Sequence, residues 1–427
     1  MMALVTAVCL MGDSMLYIAL PVYWREVGLA SLWEVGILLS VNRLVRLPLS
    51  PLIGWLYSRM DKRTGLVISV LLAFITTTSY GLLSGFAWWI VLRCLWGVSW
   101  TFLRIGAYLT IIDLSDERNR GDLMGTYNGV YRLGSLVGML VGGVMADLFG
   151  LRPIALALGI VPLIALPLIW KHAAPQAAAL GDGTGSAHAV PKHGELKPKH
   201  SESEPAPGGQ TNRPAGSASV LRLLLQGGSG VVFIVMTALL VSMFCEGMLT
   251  ATLSHLITVQ YPTVSLAGVL IGATTVSGIL QALRWGWGPW LSPWFGRRFD
   301  RTARKSRLLA AVLVGAALFL AVIPFALPFW IWVVFVIGIM LTSTILTTAI
   351  DVLVTNAASA SIKVAVVTFY TLALDVGSAL GPVAGYSMDI HTALWTSAAV
   401  MAALGCVWFT VSRRSGENRR AAETLSA

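Results

Sequence analysis

Twelve apolar segments, each long enough to cross a bilayer, constrain the fold of this chain more than any other feature. A spanning helix needs about 20 mostly apolar residues, and lipid offers no partner to a free backbone group. Charged residues make up only 12% of the 427 positions, about half the share in soluble proteins. We therefore predict an all-helical integral membrane protein. The predicted spans are 3–24, 33–57, 65–84, 86–112, 122–146, 152–170, 229–257, 264–291, 307–327, 329–350, 364–387 and 391–412.

The net charge of +10 is distributed unevenly among the loops. Lys and Arg follow the even-numbered spans, whereas the loops after the odd-numbered spans are nearly free of them. Because basic loops stay in the cytoplasm, we predict a plasma-membrane protein of the bacterial inner-membrane type with both termini cytoplasmic. Because the excess of Lys and Arg lies in these loops, the net positive charge needs no nucleic acid partner to explain it. The basic loop residues include Arg59, Lys62, Arg63, Arg297, Arg298, Arg301, Arg304, Lys305, Arg307, Arg413 and Arg414.

The apolar pattern is interrupted by a segment at 173–219 that is rich in Gly, Pro, Ser and Ala. Such a composition buries too little apolar surface to fold, so we predict a disordered cytoplasmic linker. It would separate an N-terminal six-helix bundle at 1–172 from a C-terminal one at 220–412, with a cytoplasmic tail at 413–427. One chain then supplies both halves of a central site, and a monomer is expected.

The two predicted bundles carry charge at matching places inside the spans. Asp13 in the first span corresponds to Glu246 in the seventh, and Arg46 and Arg284 each lie five residues before a proline. Charge in a span is expensive and marks a substrate or ion pathway. Repeated halves with charge at matching depths are typical of secondary transporters.

Arginines outnumber acids inside the spans, so internal ion pairs neutralise at most half of them. The surplus favours an anionic group arriving from outside, such as a carboxylate or phosphate held by guanidinium groups. We predict that Arg46 and Arg284 clamp it; the alternative, in which extra arginines satisfy helix ends and loop acids, stays open. The six arginines are Arg43, Arg46, Arg93, Arg104, Arg132 and Arg284, and the three acids are Asp13, Glu246 and Asp375.

Other polar side chains recur at helical spacing in the same spans, which predicts a shared hydrated cavity. The predicted substrate-binding residues are Arg46, Arg284, Asn42, Arg43, Tyr17, Trp100, Arg104, Asn128, Tyr131, Arg132 and Gln281.

Four charged residues are predicted to couple transport to protons: Asp13, Glu246, Arg93 and Asp375. Burial disfavours the charged form of a carboxyl group, and a neighbouring arginine favours it. A conformational change that alters this contact would therefore take up or release a proton. A static interhelical ion pair is the alternative for each acid.

The loop after the second span resembles the cytoplasmic signature of the major facilitator superfamily. It runs from Gly54 to Arg63, with Ser58 where the family has Asp and Asp61 where it usually has Gly. The resemblance implies a gating role for Gly54, Arg59, Asp61 and Arg63.

Two further motifs extend the resemblance over nearly the whole chain outside the linker. Leu92-Arg93-x-x-x-Gly97 is similar to the family's fourth-span motif, whose Arg is linked to proton coupling. The glycines from Gly134 to Gly143 resemble the fifth-span motif of its antiporters. The resemblance implies two pseudo-symmetric six-helix bundles that work by alternating access around a central site.

We therefore expect a proton-coupled secondary transporter for a small anionic or zwitterionic organic solute, working in the export direction. A multidrug/proton antiporter for cationic or neutral lipophiles is the leading alternative. A non-transporting membrane sensor or assembly protein on the same fold is a second. An enzyme is not expected, because no nucleophile–base pair, metal-ligand set or nucleotide loop is present; the expected partners are the solute, protons and the bilayer, with no cofactor.

Overall fold

The computed structural model of the chain is helical over nearly all of the residues that it describes. The predicted linker at 173–219 lies outside the described residues. The described residues are 1–114, 120–172, 229–262, 264–266, 269–302, 304–357 and 363–426.

The N-terminal half consists of eight α-helices that make six spans. The second span breaks at Val45 because Pro48 cannot donate a hydrogen bond to the carbonyl of Leu44. The sixth span contains a 3-10 turn at Val161–Ile164. The helices are α1 (Met2–Tyr23), α2 (Leu32–Leu44), α3 (Arg46–Tyr57), α4 (Lys62–Leu82), α5 (Phe86–Leu114), α6 (Arg120–Phe149), α7 (Leu151–Ile160) and α8 (Ala165–His172).

The C-terminal half begins with a span that is helical throughout but changes its winding at a π-helical turn, Ser242–Met248. A short antiparallel hairpin follows that span. The elements are α9 (Ser229–Val241), α10 (Leu249–Gln260), β1 (Val264–Leu266), β2 (Val269–Ile271), α11 (Ala273–Asp300), α12 (Lys305–Val322), α13 (Phe329–Ala357), α14 (Lys363–Tyr386) and α15 (Ile390–Ser426).

Eleven helical segments of the described chain are long and apolar enough to span a membrane, and α11, with 28 residues, is the remaining long helix. The predicted boundary of the eighth span was wrong. The strands Val264–Leu266 and Val269–Ile271 form there instead, since β-branched residues such as Val and Ile favour strands, and the helix starts only at Ala273. The last helix also continues beyond the predicted span to Ser426.

Glycines allow the helices of each half to pack closely. A Cβ on Gly134 or Gly138 of α6 would collide with the backbone of α1 at Ala7 or Met11. A Cβ on Gly381 of α14 would likewise collide with the backbone of the π-helical turn. Small residues at this spacing let two backbones approach in a membrane, so these glycines serve helix packing.

The two halves meet through α1 with α10, α2 with α14, and α6 with α11. A Cβ on Gly36 would lie 2.9 Å from the Pro382 carbonyl oxygen, and one on Gly278 would lie 2.7 Å from that of Met139. By the course of the chain, these contacts lie at the end of the bundle opposite the termini. The space between the halves is therefore closed at that end.

Candidate functional site

A buried ion pair joins three helices of the N-terminal half. Asp13 on α1 pairs with Arg93 on α5, whose side chain is fully buried. Arg93 Nε donates to the Leu38 carbonyl on α2 at 3.0 Å, and Asn42 Nδ2 donates to Asp13 Oδ1 at 3.5 Å. The Asp13 carboxylate is therefore enclosed by its partners.

A second ion pair has the equivalent place in the C-terminal half. Glu246 lies in the π-helical turn and pairs with Arg284 on α11. The Arg284 guanidinium also donates to the hydroxyls of Thr250 at 3.0 Å and Ser343 at 3.1 Å. Arg284 is thus buried and occupied, whereas 29% of the Glu246 side chain is exposed. A π-helical turn often marks a functional site, and the apolar pattern of this span did not predict it.

The two acids select arginines at non-equivalent positions. Glu246 pairs with the arginine of the eighth span, but Asp13 pairs with Arg93 of the fourth span. Arg46, the counterpart of Arg284, has no carboxylate partner among the described residues. Its Nε is buried and lacks a hydrogen-bond partner in that part of the chain. A buried guanidinium N–H without a partner is uncommon and makes Arg46 available to a ligand.

Arg46 belongs to a group of three arginines on the N-terminal half. Its guanidinium carbon lies 5.2 Å from the ring centre of Trp100. Arg43, one turn away, donates from Nε to the Tyr17 hydroxyl at 3.1 Å. Arg104 on α5 is the third member of the group. We call Arg43, Arg46 and Arg104 the arginine cluster.

The carboxylate that faces the arginine cluster comes from the other half. Asp375 on α14 lies 3.7 Å from Arg104, whereas Arg43 and Arg46 have no carboxylate within ion-pair distance among the described residues. Three positive charges and one negative charge leave a surplus of two. The side chains of Arg104 and Asp375 are 38% and 49% exposed, so the space between the halves remains open on this side of the closed end.

The remaining predicted residues of α6 lie near the same space. Tyr131 makes an edge contact with Trp100 at 5.9 Å between ring centres. Arg132 is exposed, and its guanidinium carbon lies 5.5 Å from the ring of Trp285 in the other half. Asn128 is partly buried one turn earlier. The contact of Arg132 with Trp285 across the halves is one that residue spacing alone did not predict.

A row of unpaired polar atoms lies on α11. Ser277 and Gln281 are fully buried one turn apart. The serine hydroxyl, both amide atoms of Gln281 and the indole nitrogen of Trp285 have no hydrogen-bond partner among the described residues. Buried polar groups are paired in most proteins, so this row offers hydrogen bonds to water or to a solute.

The predicted gating loop makes its described contacts within its own half. Arg59 lies over the Trp55 ring at 4.2 Å, and Lys62 forms an ion pair with Asp113 of α5. In the described chain, no ion pair joins this loop to the C-terminal half. Its gating role stays a prediction.

A contact that the sequence did not predict holds the closed end. Asp147, near the end of α6, accepts hydrogen bonds from the backbone N–H of Thr275 at 2.7 Å and from its hydroxyl at 2.6 Å. Thr275 is the third residue of α11, and Gly272 at the N-cap position has no side chain to cap that helix. A carboxylate of one half thus caps a helix of the other, where the helix dipole also favours negative charge.

We expect Asp147→Ala to loosen the closed end, because loss of a capping side chain costs about 0.5–2 kcal/mol. Asp147→Asn keeps an acceptor oxygen and should have a smaller effect. Spin labels at the exposed positions Trp33 and Met388, in a chain whose four cysteines are replaced, would report the separation of the halves. Longer distances are expected in Asp147→Ala, and a distance distribution identical to that of the parent chain would contradict the role of this cap.

Paired helical bundles that enclose charged residues define a multi-pass membrane protein with a central polar site. A sequence profile of the Major Facilitator Superfamily matches residues 2–382. The chain therefore belongs to the major facilitator superfamily, a family of membrane transporters. The predicted family and the predicted all-helical fold are both confirmed.

Two curated relatives match part of the chain. The multidrug resistance protein MdtG of Proteus mirabilis (strain HI4320) is 30% identical over 148 residues, which cover 34% of this chain and 36% of MdtG. The multi-drug resistance efflux pump PmrA of Streptococcus pneumoniae (strain ATCC BAA-334 / TIGR4) is 27% identical over 143 residues, which cover 33% of this chain and 36% of PmrA. The matched region spans about a third of the length of each relative.

Solved structures match nearly the whole chain. One is a bacterial homologue of the human lysosomal transporter Spinster in an inward-facing and unoccupied conformation, with a TM-score of 0.70, 13% identity and coverage of 96% and 95% of the two chains. The occupied inward-facing form gives a TM-score of 0.67 with 13% identity and coverage of 97% and 95%. At this identity the likeness demonstrates the fold alone.

Proposed function

We propose that this protein is a secondary transporter of a small anionic or zwitterionic organic solute, coupled to protons. It would work by alternating access in the plasma membrane with both termini in the cytoplasm. The observation that supports the proposal is the arginine cluster, in which three guanidinium groups have one carboxylate within ion-pair distance among the described residues, Asp375 beside Arg104. A guanidinium group binds carboxylate or phosphate through charge-assisted hydrogen bonds.

Arg46 is the main anion ligand in this proposal. Its Nε has no described partner, whereas the Arg284 guanidinium is occupied by Glu246, Thr250 and Ser343. A clamp that uses both arginines therefore requires Glu246 to release Arg284. Protonation of Glu246 would remove the attraction that holds the pair together.

Proton coupling follows from competition between internal carboxylates and the solute for the same arginines. Protonation of Asp375 or Glu246 would free guanidinium donors for the anion, so the two ligands would favour each other's binding by linkage. This sign favours cotransport of proton and anion. The glycines that led to the expectation of export pack α6 against α1 and, at Gly143, against Thr274 of α11, and this packing role supports no particular direction.

We expect Arg46→Gln to weaken anion binding by about 10- to 100-fold, since a hydrogen bond to a charged group contributes about 1.5–3 kcal/mol. Asp375→Asn should have the opposite effect, because it removes the competing carboxylate. Thermal stabilisation of the purified protein by benzoate, citrate, glutamate and phosphate would measure both. Arg59→Gln, outside the cluster, is the control; equal stabilisation of Arg46→Gln and the parent chain would exclude Arg46 as a ligand.

A multidrug/proton antiporter is the second candidate, favoured by the names of MdtG and PmrA, which refer to multidrug resistance and efflux. In this case the exposed carboxylates of Glu246 and Asp375 would meet a lipophilic cation, and export would be the direction. Stabilisation by tetraphenylphosphonium that is retained in Arg46→Gln but lost in Glu246→Gln would support this candidate over the first.

A further inference from the structure

The end of α11 forms a basic cleft that the proposed transport site does not use. The cleft has a volume of about 490 Å³. Its lining residues are Trp294, Arg297, Arg298, Arg301 and Thr302.

The cleft lies on an outward face of its helix. Its first four residues have the spacing i, i+3, i+4 and i+7, so their side chains share one side of α11. Phe295 and Phe299 are buried in the core of the C-terminal half on another side of the helix. The basic face therefore points away from the packed bundle.

The depth of the cleft fits the boundary of a bilayer. Trp290 and Trp294 are 77% and 55% exposed, and exposed tryptophans favour the interface between hydrocarbon and headgroups. Arg297 and Arg298 follow one turn later, which is about 5 Å along the axis. The headgroup layer on each side of a bilayer is about 5–8 Å thick. The arginines thus reach the level of the lipid phosphates.

The arginines of the cleft also lack partners that basic residues of the first half possess. Arg59 and Arg63 each lie over a tryptophan ring, and Lys62 pairs with a carboxylate. In the cleft, none of the three arginines has a carboxylate or ring partner among the described residues. Asp300, the acid of this turn, contacts Lys305 at 3.4 Å.

We propose that this cleft binds the headgroup phosphate of an anionic phospholipid. Three guanidinium groups supply hydrogen-bond donors that match phosphate oxygens. The Thr302 hydroxyl donates its hydrogen bond to the Arg298 carbonyl at 2.9 Å. Trp294 packs beside the glycerol and upper acyl chain. Basic clusters next to a membrane-spanning helix attract anionic lipids, and the tryptophans at bilayer depth favour a lipid over free phosphate.

Native mass spectrometry of the full-length protein with phosphatidylglycerol and phosphatidylcholine would test the proposal. The triple variant Arg297→Gln, Arg298→Gln, Arg301→Gln is expected to lose affinity for phosphatidylglycerol by at least about tenfold. The matched control is Arg59→Gln, Arg63→Gln, Arg413→Gln, which removes the same charge from arginines that lie over aromatic rings at the same end of the bundle. The control should keep the parent affinity, and phosphatidylcholine binding should not change in either variant.

Equal losses in the two triple variants would overturn the proposal in favour of general charge attraction, and no loss in either would overturn it outright. Inorganic phosphate should compete with phosphatidylglycerol only weakly; competition at similar concentrations would identify a free-phosphate site instead. If the triple Gln variant does not purify as a monodisperse protein, the three single Gln variants replace it, and each should lose part of the affinity. These readouts measure lipid binding and do not depend on transport of any solute.

Discussion

Asp13→Ala is expected to destabilise the protein by about 3–5 kcal/mol, because it leaves the fully buried Arg93 without its counter-charge. Arg93 cannot reach water from its position between α1, α2 and α5, where its other described contacts are the Leu38 carbonyl and the Tyr17 ring. A large fall in the midpoint of thermal unfolding in detergent would measure the effect.

Two matched variants separate charge from packing. Asp113→Ala removes the carboxylate of a surface ion pair, in which the side chain of Asp113 is 57% exposed and that of Lys62 is 27% exposed. Such pairs contribute about 0–1 kcal/mol to stability. Asp13→Ala combined with Arg93→Met should recover most of the lost stability, since a buried pair replaced by apolar groups is often neutral. Equal midpoints of thermal unfolding for Asp13→Ala and Asp113→Ala would show that the buried ion pair contributes no more to stability than the surface ion pair.

Gly134→Val is expected to prevent accumulation of folded protein. Its Cβ would collide with the backbone of Ala7, and a helix backbone cannot move aside as the end of a flexible side chain can. Overpacking typically costs about 1–3 kcal/mol, and occasionally more; a collision with backbone belongs at the upper end. The yield of monodisperse protein in detergent, measured by size-exclusion chromatography, would report the loss.

The same helix provides the control. A Cβ on Gly129 meets no atom of the described residues within 4 Å, so Gly129→Val should leave the yield near that of the parent chain. If Gly134→Val and Gly129→Val gave the same yield, the close approach of α1 and α6 would not be required for folding.

The length and apolar composition of the segments were sufficient to predict the membrane class and the helical fold, and helical spacing indicated which polar residues share a face. Periodicity fixes the face of a helix on which a residue lies, but it does not fix the neighbour that this face meets. For this reason Asp13 and Arg46 were expected to act as their counterparts Glu246 and Arg284 do in the other half. Because α1 packs against α5, Asp13 instead forms its ion pair with Arg93. Because Asp13 pairs with Arg93, Arg46 is left without a carboxylate partner among the described residues.

Features that depend on contacts between the halves were also beyond the sequence. The acid at Asp147 and the hydroxyl at Thr275 are 128 residues apart, and neither has a pattern that indicates the other. The strands Val264–Leu266 and Val269–Ile271 were missed because their apolar residues resemble the start of a span. The π-helical turn around Glu246 has no signal in the apolar periodicity, although Gly247 within it permits close packing, since a Cβ there would lie 2.7 Å from the Ser378 carbonyl oxygen.

Anion uptake into proteoliposomes under an imposed proton gradient tests the central claim most directly. With benzoate, citrate, glutamate or phosphate as the probe, the account predicts saturable uptake of at least one anion, driven by an inward proton gradient. That uptake should be lost in Arg46→Gln and retained in Arg25→Gln, which changes an exposed arginine that lies over the Trp24 ring outside the cluster. Anion uptake that is unchanged in Arg46→Gln, or flux that is confined to lipophilic cations, would contradict a transport site built on the arginine cluster.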